Sequence, residues 1–170
     1  MRENIKCNER GLKLAGMMSK IGNLDCIFCK IARGEIPAVK VWEDKKHLAI
    51  LDINPNTKGM TLIITKEHYD SDATDMPDEN YKELMIAAKK VAKLLEKKLK
   101  VKRVAIVMEG LGVNHVHIKL YPLYGLKDKF EETWANEKIY FDKYLGFIST
   151  QLGPKKSIEE LNKIAKMIKE

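Results

Sequence analysis

The stretch NHVHIKLYP, residues 114–122, alternates polar and apolar side chains with a period of two. Residues two apart on a β-strand project to the same side, so His115, His117 and Lys119 are predicted to share one face of a strand. Pro122 is expected to end that strand, because proline has no N–H to donate to a sheet. The pattern therefore predicts a row of two histidines and a lysine, which is a candidate functional surface.

Three interpretations of this row are open. Both histidines can bind a catalytic metal, which also needs a third protein ligand and a position for water. Alternatively the two histidines have different roles, because their Cα atoms lie about 6.6 Å apart on a strand. His115 then binds a metal and His117 faces a substrate. An imidazole is a competent nucleophile toward phosphorus near neutral pH, and Lys119 would stabilise charge on a phosphate. In the third interpretation both histidines are merely polar side chains on a partly exposed face.

The sequence around this strand predicts an α+β fold with a mostly antiparallel five-stranded sheet, one long amphipathic helix and a short C-terminal helix. Apolar and β-branched runs bounded by turn residues predict the strands. These cover residues 39–43, 48–53, 60–65, 101–108 and 113–121.

Two helices follow from apolar spacing and capping signals. Apolar residues recur every three or four positions from Met76-Pro77-Asp78 to about Leu99, with Thr74 or Asp75 as the expected N-cap. Ser157 and Glu160 form a capping box ahead of a second apolar stripe, which predicts the C-terminal helix over residues 158–168.

Length and composition describe a globular protein. The chain has 170 residues, of which 45% are hydrophobic and 32% charged, which favours one domain with its own core. No apolar run reaches the roughly 20 residues that cross a bilayer. Residues 1–24 are read as an N-terminal extension; they carry charges where a secretory signal needs an apolar core, so a cytoplasmic location is expected. The Met17-Met18 pair raises the possibility of a start there.

The net charge of +7 comes mostly from lysines at helical spacing beside apolar residues. A basic balance can indicate a phosphate-bearing partner or nucleic acid. The helical spacing favours a solvated helix face, so no specific nucleic-acid binding is predicted.

Cys26 and Cys29 form a CxxC pair, which is half a zinc site, a redox pair or two buried thiols. A short helix can begin in this segment, which is compatible with a redox pair. The supply of other ligands favours metal: His68 follows the third predicted strand, and His115 or His117 can complete a set of two cysteines and two histidines.

The chain resembles the histidine triad (HIT) family of nucleotide hydrolases and transferases from Cys26 to about Pro122. The resemblance rests on three segments in the same order as in the family: CIFCKIARGEIPAVKVWED, then HLAILDINPNTKGMTLIITKEH, and, after the long helix, HVHIKLYP. It implies a homodimeric α+β fold that binds a purine nucleotide or nucleotide conjugate beside the histidine strand.

The resemblance also implies roles for individual residues. His117, at the middle position of the motif, is the nucleophile that takes the nucleotidyl group. A structural Zn²⁺ is held by Cys26, Cys29, His68 and His115. Asp52 hydrogen-bonds the ribose hydroxyls. In the alternative interpretation it forms the turn before Asn54-Pro55 and contacts no ligand. An apolar base pocket draws on Phe28, Ile31, Leu51 and Ile53, each of which can equally be plain core.

Two departures from the family pattern bear on activity. Lys119 stands where the family has its third histidine, and the glycine-rich loop ahead of the motif is shortened to EGLGVN. Lys119 and Asn114 are candidates to replace the missing phosphate contacts. Three functions are therefore weighed: a nucleotidyl hydrolase or transferase, a nucleotide-binding module with little turnover, and a thiol redox protein.

The predicted domain organisation places the catalytic domain over residues 25–125. Residues 126–170 are expected to form a C-terminal segment that packs on the same domain. Family members often use this segment to choose substrates, and the candidates here are Trp134, Tyr140 and residues 150–154.

Overall fold

The fold is taken from a computed structural model that describes residues 25–150 and 153–169. The predicted extension over residues 1–24, with the Met17-Met18 pair, lies outside the described residues, as do residues 151 and 152 of the C-terminal candidate stretch. No helix in the described ranges combines the length and the apolar character needed to cross a membrane.

The core of the fold is a five-stranded sheet in which every neighbouring pair is antiparallel, with strand order β1-β2-β3-β5-β4. The α+β prediction and the strand count are thus confirmed. The strands are β1 (Lys40–Glu43), β2 (His47–Leu51), β3 (Thr61–Thr65), β4 (Arg103–Val107) and β5 (His117–Leu123).

One face of the sheet is covered by the long helix α2 (Asp78–Leu99). Its buried side chains recur every three or four residues and form one stripe: Leu84, Ala87, Ala88, Val91, Ala92 and Leu95. They pack on Ala49, Ile63, Ile118 and Leu120 from the strands. The helix ends at Lys100, which has a left-handed backbone. Neither predicted N-cap holds its start: Pro77 occupies that position, and Asp75 belongs to a 3₁₀ turn over Ala73–Asp75.

The other face carries a short helix, α1 (Ile27–Ala32), which begins directly after Cys26. Phe28, Cys29 and Ile31 of this helix pack on the alternate strand residues Leu48, Ile50, Leu62 and Ile64. His117 is the register partner of Ile64, and Lys119 is the partner of Leu62. Register partners project to the same side of a sheet, so His117 and Lys119 lie on the α1 face. His115, which was predicted to share their strand, instead precedes β5.

The prediction that Pro122 ends its strand is wrong, because β5 continues to Leu123 and Pro122 pairs with Val104 of β4. The Pro122 carbonyl accepts a hydrogen bond from the Thr57 hydroxyl, in the loop that leads into β3. Since the N–H and C=O of one strand residue point to the same side, the missing donor is directed toward that loop. Proline at this position therefore removes no hydrogen bond from the pairing of β5 with β4.

The chain divides into two compact units, the second beginning at Lys129. Within the second unit, helix α3 (Ile158–Lys169) begins with the predicted capping box. The Glu160 N–H donates to the Ser157 hydroxyl at 3.2 Å, and the Ser157 N–H donates to the Glu160 carboxylate at 2.8 Å. The predicted packing of residues 126–170 on the domain that contains the sheet stays a prediction.

Candidate active site and metal centre

Four side chains from three distant parts of the sequence converge beside the sheet. Cys26 and Cys29 lie at the start of α1, His68 follows β3, and His115 precedes β5. One donor atom from each lies within 4.8 Å of all the others. The cysteines are not joined in a disulfide. This convergence favours the metal interpretation of the CxxC pair over the redox one.

The distances among these donors fit a tetrahedral metal site. His115 Nδ1 lies 3.4 Å from Cys26 Sγ, 3.6 Å from Cys29 Sγ and 3.2 Å from His68 Nδ1. Cys29 Sγ lies 3.4 Å from His68 Nδ1. Zinc–sulfur bonds of about 2.3 Å and zinc–nitrogen bonds of about 2.0 to 2.1 Å at tetrahedral angles separate sulfur from nitrogen by about 3.5 Å and two nitrogens by about 3.3 Å. The four residues can therefore hold a metal ion with little rearrangement.

His115 is prepared as a ligand by its surroundings. Its side chain is fully buried, and its Nε2 donates to the Thr65 carbonyl at 2.9 Å. That hydrogen bond assigns the proton to Nε2 and leaves the Nδ1 lone pair directed at the other donors. Burial lowers the pKa of His115 to about 4, so the ring is neutral at physiological pH, as a metal ligand must be.

Asn114, whose contact with phosphate stays a prediction, fastens the loop that carries His68. Its amide nitrogen donates to Asp70 at 2.8 Å, and its amide oxygen accepts from the Ser71 N–H at 2.9 Å. The Asp70 carboxylate in turn lies 3.6 Å from Nε2 of His68. The side chain is thus occupied in supporting the metal ligands.

We expect Asn114→Ala to weaken metal binding about 10- to 100-fold, the usual effect of losing an outer partner of a metal ligand. The measurement is competition for zinc against a chromogenic chelator. Thr74→Ala, which removes an exposed hydroxyl that donates to nearby Asp72, is the matched control. An unchanged zinc affinity in Asn114→Ala would show that the amide supports only the loop backbone.

The glycine after Glu109 explains how the shortened loop fits beside the metal ligands. Gly110 has a φ of +75°, and a Cβ added there would lie 2.6 Å from the Ser71 carbonyl oxygen. Only glycine combines this left-handed backbone with so close an approach. The loop before the motif therefore packs directly against the loop that carries His68.

His117 is held in the tautomer that a nucleophile requires. Its side chain is 5% exposed, and its Nδ1 donates to the His115 carbonyl at 2.8 Å. Since Nδ1 carries the proton, Nε2 carries the lone pair. Burial, and then the positive charge of Lys119, lower the pKa of His117. The imidazole is therefore neutral near pH 7, with one basic nitrogen available for attack.

Lys119 is paired with a buried acid that the sequence prediction missed. Its ammonium lies 2.8 Å from a carboxylate oxygen of Glu109, and both side chains are largely buried. The register partner of Lys119 on β4 is Val107, two residues before Glu109. The pairing depends on that register, which the sequence does not specify, and the ion pair fixes the ammonium on the His117 face.

The predicted base-pocket residues occupy different places. Phe28 packs its ring edge against His117, with centroids 5.3 Å apart, and Ile31 is buried in the same cluster. Leu51 projects to the opposite, α2 face, and Ile53 is 91% exposed. Ile50, which is not among the predicted base-pocket residues, is the register partner of Leu62 on β3. It therefore lies on the same face of the sheet as His117. Strand alternation places Ile50 and Leu51 on opposite faces, and the pairing of β2 with β3 decides which face carries His117.

Asp52 follows β2 and makes the turn contact considered as its alternative role. One carboxylate oxygen accepts from the Asn54 N–H at 2.7 Å. Its negative charge also acts on His117, where it favours the protonated ring. Asp52 is therefore part of the turn and also influences the charge of the candidate nucleophile, and the ribose assignment stays a prediction.

Comparison with known proteins gives a consistent result. The HIT domain description matches residues 33–125. An adenosine 5′-monophosphoramidase of Saccharomyces cerevisiae is 38% identical over 143 residues, covering 79% of this chain and 86% of that protein. An uncharacterized HIT-like protein of Methanocaldococcus jannaschii is 45% identical over 104 residues, covering 58% and 79%. The structure of a zinc-bound histidine triad family protein from Mycobacterium smegmatis aligns with a TM-score of 0.56 at 32% identity, covering 66% of this chain and 85% of that one.

Proposed function

Because the chain belongs to the histidine triad (HIT) family, we propose that it hydrolyses or transfers nucleotidyl groups, with an adenylyl conjugate as substrate. The reaction takes place at the α-phosphate, with His117 as the nucleophile. The observation that carries the proposal is the hydrogen bond from His117 Nδ1 to the His115 carbonyl. It leaves Nε2 as the basic nitrogen on the face that also carries Phe28 and Lys119. The similarity to an adenosine 5′-monophosphoramidase supports the choice of adenylyl substrate.

The proposed reaction has two displacements. His117 Nε2 attacks the α-phosphorus, the bond from phosphorus to the leaving group breaks, and the leaving group departs with the electron pair and takes up a proton. Water then attacks the same phosphorus, the phosphorus–nitrogen bond breaks, and the nucleoside monophosphate leaves. The proton of the attacking water passes to solvent, and the neutral imidazole is restored.

The metal site is proposed to hold zinc in a structural role. Zinc bound by Cys26, Cys29, His68 and His115 would supply a fixed cross-link between α1, the loop after β3 and the beginning of β5. His115 is thereby anchored, and its carbonyl is the acceptor that sets the tautomer of His117. The site therefore acts on the reaction by positioning the nucleophile. The cytoplasmic location and the homodimer stay predictions beside this proposal.

We expect Asp52→Asn to raise KM about 10- to 100-fold with little change in kcat, as a charged hydrogen bond to the ribose hydroxyls is lost. Asparagine can still accept from the Asn54 N–H and favours the same turn. Thermal melting should therefore stay within about 2 °C of the wild type. A KM equal to that of the wild type would mean that Asp52 serves only the turn.

We expect Lys119→Met to lower kcat about 10²- to 10³-fold, because a preorganised positive charge beside the developing phosphate charge is removed. Steady-state kinetics on an AMP phosphoramidate measures this effect. Lys40→Met is the control, since Lys40 is an exposed lysine of β1 paired with Glu43. Glu109→Gln should give a smaller loss, because the ammonium stays but its anchor is weakened. A Lys119→Met enzyme within threefold of the wild type would contradict the role of this lysine.

The test of the proposed function is AMP release from three substrates: an AMP phosphoramidate, an aminoacyl adenylate and a dinucleoside polyphosphate. Turnover of at least one of them, saturable and proportional to enzyme, supports the proposal. Tight nucleotide binding by calorimetry with no release from any of the three would instead favour a nucleotide-binding module. The shortened loop between Glu109 and Asn114 is the feature that makes this second outcome worth measuring.

A further inference from the structure

A cavity lies on the face of the sheet opposite His117. It has a volume of about 500 Å³, lies between β1, the end of β2 and the last two turns of α2, and is open to solvent on one side. Its walls are aliphatic: Val41, Leu51, Leu94, Leu95 and Leu99. Ligand pockets in proteins span roughly 300 to 1,000 Å³ and combine apolar walls with few polar groups. The cavity therefore has the size and the lining of a small-molecule site.

This cavity is separated from the candidate active site by the sheet itself. Leu51 lines the cavity, whereas the preceding residue, Ile50, packs in the cluster with Phe28 on the other face. A nucleotide whose phosphate reaches His117 on the α1 face cannot also fill a cavity on the α2 face. Any molecule bound in this cavity is therefore distinct from a nucleotide at His117.

The loop at the mouth of the cavity is held in place by contacts of its backbone. The Lys58 carbonyl accepts from the Tyr124 hydroxyl at 2.9 Å. Gly59 has a φ of +78°, and a Cβ added there would lie 2.6 Å from a methyl carbon of Leu99. Glycine thus allows the loop to approach the end of α2 and close one side of the cavity.

Two lysines give the cavity its polar character. Lys58 and Lys98 contribute to its lining and are exposed at its rim. Neither forms an ion pair with an acidic side chain in the ranges 25–150 and 153–169, in contrast to Lys40, Lys46, Lys66, Lys82, Lys93, Lys102 and Lys119. An apolar cavity rimmed by two such cations is complementary to a molecule with an alkyl body and an anionic head.

We infer that this cavity binds an amphipathic monoanion of the medium-chain fatty acid class. The alkyl chain lies against Leu94, Leu95 and Leu99, and the carboxylate lies beside Lys58 and Lys98. The inference does not depend on the reaction at His117, because it rests on a different face of the sheet.

A chain-length series tests the apolar part of the inference. Octanoate, decanoate and dodecanoate are titrated into the full-length protein by calorimetry, below their micelle concentrations. Each added methylene should tighten binding about fourfold while the cavity still has room. Leu94→Trp, which fills the cavity from a half-buried position, should abolish decanoate binding. Absence of saturable binding by the wild type would overturn the inference.

Charge variants test the anionic part. Lys58→Gln with Lys98→Gln should weaken decanoate binding about tenfold, as two favourable surface charges are lost. The matched control is Lys89→Gln with Lys97→Gln, since these exposed lysines lie on the other side of α2. Decyltrimethylammonium should bind the wild type more weakly than decanoate does. Equal affinity for the two ligands, or equal losses in both double variants, would overturn the assignment of an anion. If Leu94→Trp does not fold, the comparison of the two lysine double variants tests the inference on its own.

Discussion

His117→Ala is expected to reduce AMP release by at least about 10⁴-fold, because covalent catalysis cannot proceed without its nucleophile. The side chain is buried but makes few structural contacts: a hydrogen bond to the His115 carbonyl and an edge contact with Phe28. Metal content and nucleotide affinity should therefore stay near wild-type values. The measurement is AMP release from the substrate that the wild type turns over fastest, together with zinc content and calorimetric binding of AMP.

The control for this experiment must separate chemistry from folding. His47→Ala is the matched control, because it truncates another buried histidine that projects to the opposite face of the sheet, and it should retain turnover within about tenfold. A His117→Ala protein that retains a tenth or more of wild-type turnover would contradict the assignment of His117 as nucleophile.

Cys29→Ser is expected to cause the largest loss of stability. Cys29 is 1% exposed, and its sulfur contacts both histidines of the metal site. If the wild type is saturated with zinc at about 1,000 times its Kd, bound metal contributes about 4 kcal/mol to the free energy of unfolding. For a chain of this size that corresponds to a decrease of about 8 to 16 °C in melting temperature.

The wild-type protein treated with a chelator is the control for Cys29→Ser. Chelation should lower the melting temperature of the wild type toward that of the variant and leave the variant itself unchanged. A chelator that shifts both proteins equally, or neither, would contradict a metal site built on Cys29.

The metal residues were predictable because their chemistry is specific. Two cysteines in a CxxC pair and the histidines His68 and His115 form a ligand set with few other uses, and the structure brings all four together. The long helix was also predictable, since its apolar spacing is regular over six turns. In both cases local sequence and tertiary structure point to the same answer.

The contacts around His117 were harder to predict because they depend on register. Alternation along β2 places Ile50 and Leu51 on opposite faces. It assigns Ile50 to the His117 face only once the paired strands are known. The ion pair of Lys119 with Glu109 likewise needs the register of β4 on β5. A shift of one residue in either strand would exchange the faces, and composition alone does not decide this.

Asn114 and Pro122 show the limits of residue-type reasoning. An asparagine beside a histidine motif suggests a phosphate contact, which stays a prediction. The sequence does not indicate the second role of this amide, which is to hold a loop through its hydrogen bonds to Asp70 and Ser71. Proline usually marks the end of a strand, yet Pro122 is accommodated because its backbone points toward Thr57. Both outcomes depend on neighbours that lie 40 or more residues away in the sequence.

The central claim is a covalent bond between His117 and the nucleotide, and its most direct measurement is peptide mass spectrometry of the enzyme during turnover. The enzyme is mixed with an AMP phosphoramidate and quenched in base, because a phosphorus–nitrogen bond to imidazole is labile in acid. The account predicts an adenylyl group on the peptide that contains His117, which appears before steady state and is absent from His117→Ala. Rapid AMP release without an adduct at any quench time, or an adduct on another residue, would contradict it.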